Sequence, residues 1–412
     1  MSDPKVGLAC LAGENNRNLA FSESTRIAVA PVVLQVLPSF VGGGVERGTV
    51  EMAAALAEAG WTALVVSSGG PMVRELDRVG ARHIELPVQS KNLFVMRRNA
   101  GRLARIIREH GVDLVHARSR APAWSAMFAA RRTGAHFVTT VHGPYGFGIP
   151  FKRLYNSVMT RGERVVAISE FIRSYILDNY RKVDPDVIRL IHRGVNTEIF
   201  DPEKVSAARV IQLADKWRLP DGVPVVMLPG RLTRWKGHRV LLQALTRLKD
   251  RQIRCLIVGG GREGYRAELE GLVQKLGLQS VVHLVGDCRD MAAAYKIADV
   301  VVSASTEPEA FGRVIAEAQA MGKPVIAPNH GAAPEIVLPD VTGWLVPPED
   351  PAALAGALEK TLALDTLARE ALAYTAIARV EANFTTAKMC AATIDVYREL
   401  LHRTPVAPGS LG

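Results

Sequence analysis

The chain has 412 residues, 48% of them hydrophobic and 22% charged, and a net charge of +10. Its length exceeds the roughly 250–300 residues at which a single core stops growing, so two domains are expected. The four cysteines, Cys10, Cys255, Cys288 and Cys390, lack any paired spacing, so they suggest neither a disulfide framework nor a zinc site and suit a reducing cytoplasm.

Met1 to Arg26 holds only a brief apolar patch, Val6 to Ala12, and is expected to be a loosely ordered tail rather than a secretory signal. No later run approaches the ~20 apolar residues of a membrane span. Val32 to Leu37 reads as a strand, Val45 to Glu58 as a helix and Thr62 to Ser67 as a strand, and the alternation continues through Val165 to Ile168. A second series runs from Val223 to Leu228 through Cys255 to Val258, Val281 to Leu284, Val300 to Val302 and Pro324 to Ala327. Between them, Asn179 to Pro220 is charged, contains Pro185, Pro202 and Pro220, and reads as a connection. Alternating strands and helices imply an α/β protein, here two doubly wound parallel sheets facing a cleft. Ligands of such sheets gather at the carboxyl ends of the strands.

The charge is unevenly divided. Ile27 to Asn196 carries 23 Lys and Arg against 13 Asp and Glu, whereas Thr197 to Gly412 carries 25 of each. Arg97, Arg98, Arg102, Arg105 and Arg108 share a predicted helix with Leu103, Ile106 and Ile107. Such a helix suits an anionic membrane surface, an anionic acceptor, or plain packing with a solvated arginine face. No nucleic-acid-binding module accompanies the charge.

The loops at the strand ends carry the candidate chemistry. Val41 to Val45, VGGGV, turns tightly and allows close approach of a ligand, or serves as a structural turn. His142 follows the strand Phe137 to Val141 and places an imidazole at a carboxyl end beside the predicted cleft, as a ligand contact or as a structural or surface residue. Pro229 to Gly237, PGRLTRWKG, brings Arg231, Arg234 and Lys236 to a loop opening into a helix, where cations can neutralise a phosphoryl group. Gly259 to Gly264 matches G-x-G-x-x-G but follows the second strand of its series, so it supports a dinucleotide site only weakly. Ser305 to Ala320, STEPEAFGRVIAEAQA, sets Glu309 in a strand-to-helix loop and Glu317 in the helix, on either side of a helix start near Gly312 that suits an anion; the two acids suit sugar and ribose hydroxyls, or are a solvated loop acid and a surface helix acid.

Gly230-Arg-Leu-Thr-Arg-Trp-Lys-Gly237 and Glu309-Ala-Phe-Gly-Arg-Val-Ile-Ala-Glu317, at this separation and in this order, resemble the retaining glycosyltransferases of family 4, and the resemblance runs from about Val32 to Leu401. It implies the GT-B architecture of two Rossmann-like domains. The implied division is a tail at 1–26, an acceptor-binding domain at 27–196 and a nucleotide-sugar-binding domain at 197–386, with a final helix at about 387–402 returning to the first. By resemblance, Glu309 contacts the donor sugar, Glu317 the ribose, and Arg231 and Lys236 the diphosphate, helped by Phe311, Gly312, Arg313 and Val314. Gly43 and Gly44 approach the donor from the first domain, His142 faces the reacting sugar, and the loop at Gly260, Asp287 and Cys288 lies by the nucleobase. Arg193-Gly-Val-Asn196 resembles the crossover between domains.

The implied chemistry is glycosyl transfer with retention from a nucleotide-diphosphate sugar, without a metal or other cofactor. The basic charge of the first domain, which in this architecture takes the acceptor, favours a glycan or lipid-linked acceptor of lipopolysaccharide type at the cytoplasmic membrane face, an expectation from charge placement. A nucleotide-sugar epimerase and a dinucleotide-dependent oxidoreductase remain as alternatives.

Overall fold

The computed structural model describes residues 30–146, 151–248 and 252–402; the expected tail at 1–26 lies outside them. The first apolar series forms β1 (Val32–Val36), β2 (Thr62–Ser67), β3 (Arg82–Glu85), β4 (Leu114–Ala117), β5 (His136–Val141), β6 (Arg164–Ala167) and β7 (Ile188–Leu190), in the order β3-β2-β1-β4-β5-β6-β7. The second forms β8 (Val225–Pro229), β9 (Arg254–Val258), β10 (Val282–Gly286), β11 (Val300–Val302), β12 (Val325–Pro328) and β13 (Gly343–Val346), in the order β10-β9-β8-β11-β12-β13. The strands pair in parallel throughout both sheets. Runs such as VVMLP in β8 are buried along their whole length, as expected for strands covered by helices on both faces. Each order reverses beside its first strand, between β1 and β4 and between β8 and β11, and crevices form at such switch points.

Two stretches differ from the sequence reading. Asn179 to Pro220 is more than a connection: it supplies β7 and the helix Ala207–Lys216, whose Arg209 pairs with Asp290 at 2.7 Å. Pro185 and Pro202 each open a short 3-10 turn, where the missing N–H costs nothing, so these prolines start local structure instead of interrupting it. The strand Gly343–Val346 was not anticipated; it is four residues long and offers little periodicity.

The helix Thr386–Leu401 returns to the first sheet. Its Met389, Ile394, Tyr397 and Leu400 share a buried cluster with Val33, Met52 and Leu56. Tyr397 Oη lies 2.6 Å from His116 Nδ1, and Glu399 is bound by Arg164 and Arg189. Two chain crossings touch where this helix begins, with Val195 N donating to Phe384 O at 2.7 Å and Thr386 N to Val195 O at 2.9 Å. Gly194 permits the contact, since a Cβ there would stand 2.4 Å from Thr386 Cα. A further strut is Glu335, which accepts from the N–H groups of Glu170 and Phe171, at 2.7 and 2.8 Å, at the start of the helix Glu170–Asn179. His192 meets the same carboxylate at 3.0 Å.

Candidate functional site

A cleft of about 1440 Å³ opens at the strand ends of both sheets. Gly43, Gly44, Arg231, Gly260, Asp287, Cys288, Arg313, Val314 and Glu317 line it. The turn after β1 enters with Gly42 and Gly43 at φ 143° and 155°, conformations that a side chain would resist. Gly44 then comes close to the opposite wall, where a Cβ would lie 3.6 Å from Arg313 Cδ.

On the second sheet, the loop after β8 is locked to the loop after β11. Thr306 N donates to Trp235 O at 2.8 Å. Gly237, at φ 69°, is required because a Cβ there would meet Ala304 O at 1.7 Å. This contact sets Lys236 Nζ 2.8 Å from Glu309 Oε1, which also accepts from Ser303 and Ser305. Lys236 and Glu309 are therefore partners, both largely buried. Arg234 is held by Glu268 through two hydrogen bonds of 2.7 and 2.5 Å, and Arg231 is the cation of that loop that lines the cleft.

Gly312, at φ 89°, caps the helix Arg313–Ala320. Arg313 and Glu317 follow on one face, 3.2 Å apart, and Tyr295 Oη donates to Glu317 at 3.0 Å. Glu317 is 9% exposed, and burial pushes its carboxyl upward against the pull of Arg313 and Tyr295. It is thus a buried, oriented acceptor at the cleft wall. Phe311 packs against Phe384, ring centroids 5.9 Å apart, and anchors the loop from within.

The glycines at 259–264 have a packing explanation. A Cβ on Gly259 would meet Gly230 O at 2.1 Å, one on Gly260 would meet Asp287 Oδ2 at 2.4 Å, and one on Gly261 would meet Leu232 Cβ at 2.4 Å. Gly264 lies inside the helix Glu263–Lys275. The motif therefore fits three loops together, and Asp287 is engaged with Gly260 N at 2.6 Å.

His142 is not on the wall of the large cleft. It lines a neighbouring cavity of about 20 Å³ with Arg118 and Arg193. Burial, then Arg193 and Arg118, hold its pKa well below the usual value, so the ring is neutral near pH 7. Sequence reading assigned Arg193 only to the crossover and passed over Arg118 altogether. The available signal was position: Arg118 directly follows the buried strand β4, at the end where ligands collect. Arg193 donates to Gly44 O, and burial with Arg118 and Arg313 nearby lowers its pKa to about 9.

Among the described residues, no cluster of three or more His, Cys, Asp or Glu could hold a metal, and no helix is long and apolar enough to cross a membrane.

Two sequence-family models match the chain: Glycosyltransferase Family 4 over residues 42–199, and Glycosyl transferases group 1 over residues 211–379. The chain is 32% identical over 317 residues to a D-inositol 3-phosphate glycosyltransferase of Xylanimonas cellulosilytica, covering 71% of this chain and 73% of that one. It is 31% identical over 277 residues to a GDP-mannose-dependent alpha-(1-6)-phosphatidylinositol monomannoside mannosyltransferase of Mycolicibacterium smegmatis, covering 64% and 71%. The crystal structure of a glycosyltransferase from Rickettsia africae superposes with a TM-score of 0.85 at 41% identity, covering 91% of this chain and all of that one.

Proposed function

Since the chain belongs to the family 4 glycosyltransferases of GT-B architecture, we propose that it moves a sugar from a nucleotide-diphosphate donor to a glycan or lipid-linked acceptor, with retention of anomeric configuration and without a metal. The observation that carries this reading is the cleft wall on which Arg231 and Arg313 stand beside the buried Glu317. A departing diphosphate gains negative charge, and guanidinium groups fixed beside it stabilise that charge more in the transition state than in the ground state. Arg231 and Arg313 take the phosphates, Glu317 accepts from the ribose hydroxyls, and the Lys236–Glu309 pair meets the transferred sugar and its phosphate. Retention follows from attack of the acceptor hydroxyl on the face that the phosphate leaves, with that phosphate receiving the proton. His142 lies behind the turn at Gly44, and in this reading it shapes the sugar pocket without carrying charge.

The acceptor side belongs to the basic first half. Leu93 and Phe94, 78% and 86% exposed, open the helix Leu93–Glu109, and Arg97, Arg98, Arg105 and Arg108 are exposed along it. Apolar side chains next to arginines suit the surface of an anionic bilayer, and with it a lipid-linked acceptor of cell-envelope or lipopolysaccharide type on the cytoplasmic face. The names of both relatives specify inositol-phosphate-based molecules, which is consistent with an anionic acceptor.

The test is incubation with a panel of nucleotide sugars, following nucleotide diphosphate release with and without membrane lipid extract. Release with one donor, stimulated by the extract, is expected. Release indifferent to every acceptor, or no release from any donor, would contradict transfer. Sedimentation with anionic vesicles should decline with salt and with Phe94→Ser; binding unaffected by either would remove the membrane part of the reading.

A further inference from the structure

Behind the turn at Gly44 lies the cavity of about 20 Å³, lined by Arg118, Arg193 and His142 together with apolar side chains such as Met52, Ile191 and Met389. Arg118 and Arg193 are 5% and 4% exposed. The hydrogen-bond acceptors found for them are neutral: Gln35 Oε1 takes a proton from Arg118 at 2.9 Å, and Gly44 O takes one from Arg193. Gly48 admits the second guanidinium, since a Cβ there would stand 2.6 Å from Arg193 Nη2. Neither arginine has an ion pair among the described residues; the Glu51 carboxylate favours the charged form of both, yet keeps a buried Oε2 without a hydrogen-bond partner. Two more buried atoms lack partners, Arg118 Nε and His142 Nε2, both on residues of the cavity wall.

Buried charges in proteins are normally paired, because an uncompensated one carries a desolvation penalty of several kcal/mol. Guanidinium groups do not readily escape that penalty by losing a proton. We propose that the cavity is a binding site for one small monovalent anion of the halide class, chloride in practice, held by Arg118, Arg193 and His142. The size supports a single-atom ligand: a water-sized occupant needs about 10–15 Å³, so the space suits one such particle and is too small for phosphate or sulfate. The other polar groups of the lining are engaged within the protein, His116 with Tyr397 and Thr140, and Thr393 with Met389 O; the delocalised cations and apolar side chains that remain favour an anion that sheds water easily. The ion neutralises Arg193 and, through the Gly44 carbonyl, steadies the glycine turn on the cleft wall. None of this depends on the identity of the donor or acceptor.

Crystals of the full chain grown or soaked in sodium bromide test the site directly. An anomalous peak in the cavity, within hydrogen-bond reach of Arg118 Nε and His142 Nε2, is expected; ordinary water density with no anomalous signal there would overturn the proposal. In solution, Tm is compared in sodium chloride and sodium gluconate at matched ionic strength, for the wild type and for Arg118→Met. Gluconate is too large to enter and reports general salt effects. Relative to the variant, the wild type should gain about 1–3 °C from chloride. An equal response of the two proteins would also overturn it, and if Arg118→Met does not fold, the bromide experiment on the wild type decides.

Discussion

The two sides of the cleft handle charge differently. On the second sheet, two of the three cations proposed to serve the donor are paired across loops or along one helix face, Lys236 with Glu309 and Arg313 with Glu317, while Arg231 is exposed. On the first sheet, Arg118 and Arg193 are buried against neutral acceptors. Pairing allows cations to be stored beside a phosphate site while the site is empty, because each has a carboxylate to face until a ligand arrives. Arg118 and Arg193 have no such ion pair among the described residues, and their surroundings are a place where an external anion should matter.

Lys236→Ala should have the largest effect. If the pair serves the reaction, kcat/KM should fall by about 10²–10³-fold, the loss typical of removing one preorganised electrostatic stabiliser. A Lys236→Ala/Glu309→Ala double variant should lose little beyond the worse single one, since the two residues act together. A fall below tenfold for Lys236→Ala would mean that the pair only fastens two loops. Glu317→Gln comes next: it keeps the shape, leaves Arg313 without its anion and weakens the acceptor offered to the ribose. Donor KM should rise about tenfold, in line with loss of one hydrogen bond to a charged group, and an unchanged KM in donor titrations would separate Glu317 from the donor.

The smallest expected effect concerns the first side, where a paired carboxylate comes from the last helix. Hydrogen bonding from Arg164, opposed by partial burial and assisted by Arg189, lowers Glu399 from the usual 4.5 to about 2. A carboxylate with a depressed folded pKa stabilises the fold fully above pH 4.5, and the contribution is lost as pH falls toward 2. Glu399→Gln should therefore cost about 1 kcal/mol in denaturant unfolding at neutral pH, and the difference from wild type should shrink through that acid range. A difference that stays constant down the acid limb would show that Glu399 acts through packing.

The strands of both sheets were legible because parallel strands covered on two faces are continuous apolar runs, and the cationic and acidic loops were legible because they sit at the ends of those runs. Gly343–Val346 and β7 escaped because three or four residues carry too little pattern, and the prolines of Asn179 to Pro220 looked like breakers although two of them open turns. The glycines at 259–264 had a local explanation that spacing could not reveal, because the atoms they make room for belong to loops after other strands.

By itself, the sequence determined the α/β class, the two parallel sheets and the order of the loops around the cleft, all of which follow from hydrophobic pattern and local turn chemistry. Tertiary structure alone decided which charges meet. Lys236 finds Glu309 across 73 positions, and Arg193 finds Gly44 across 149. Those meetings depend on how strand ends are brought together in space, and for the same reason only the fold shows that Arg118 and Arg193 are buried without an ion pair among the described residues.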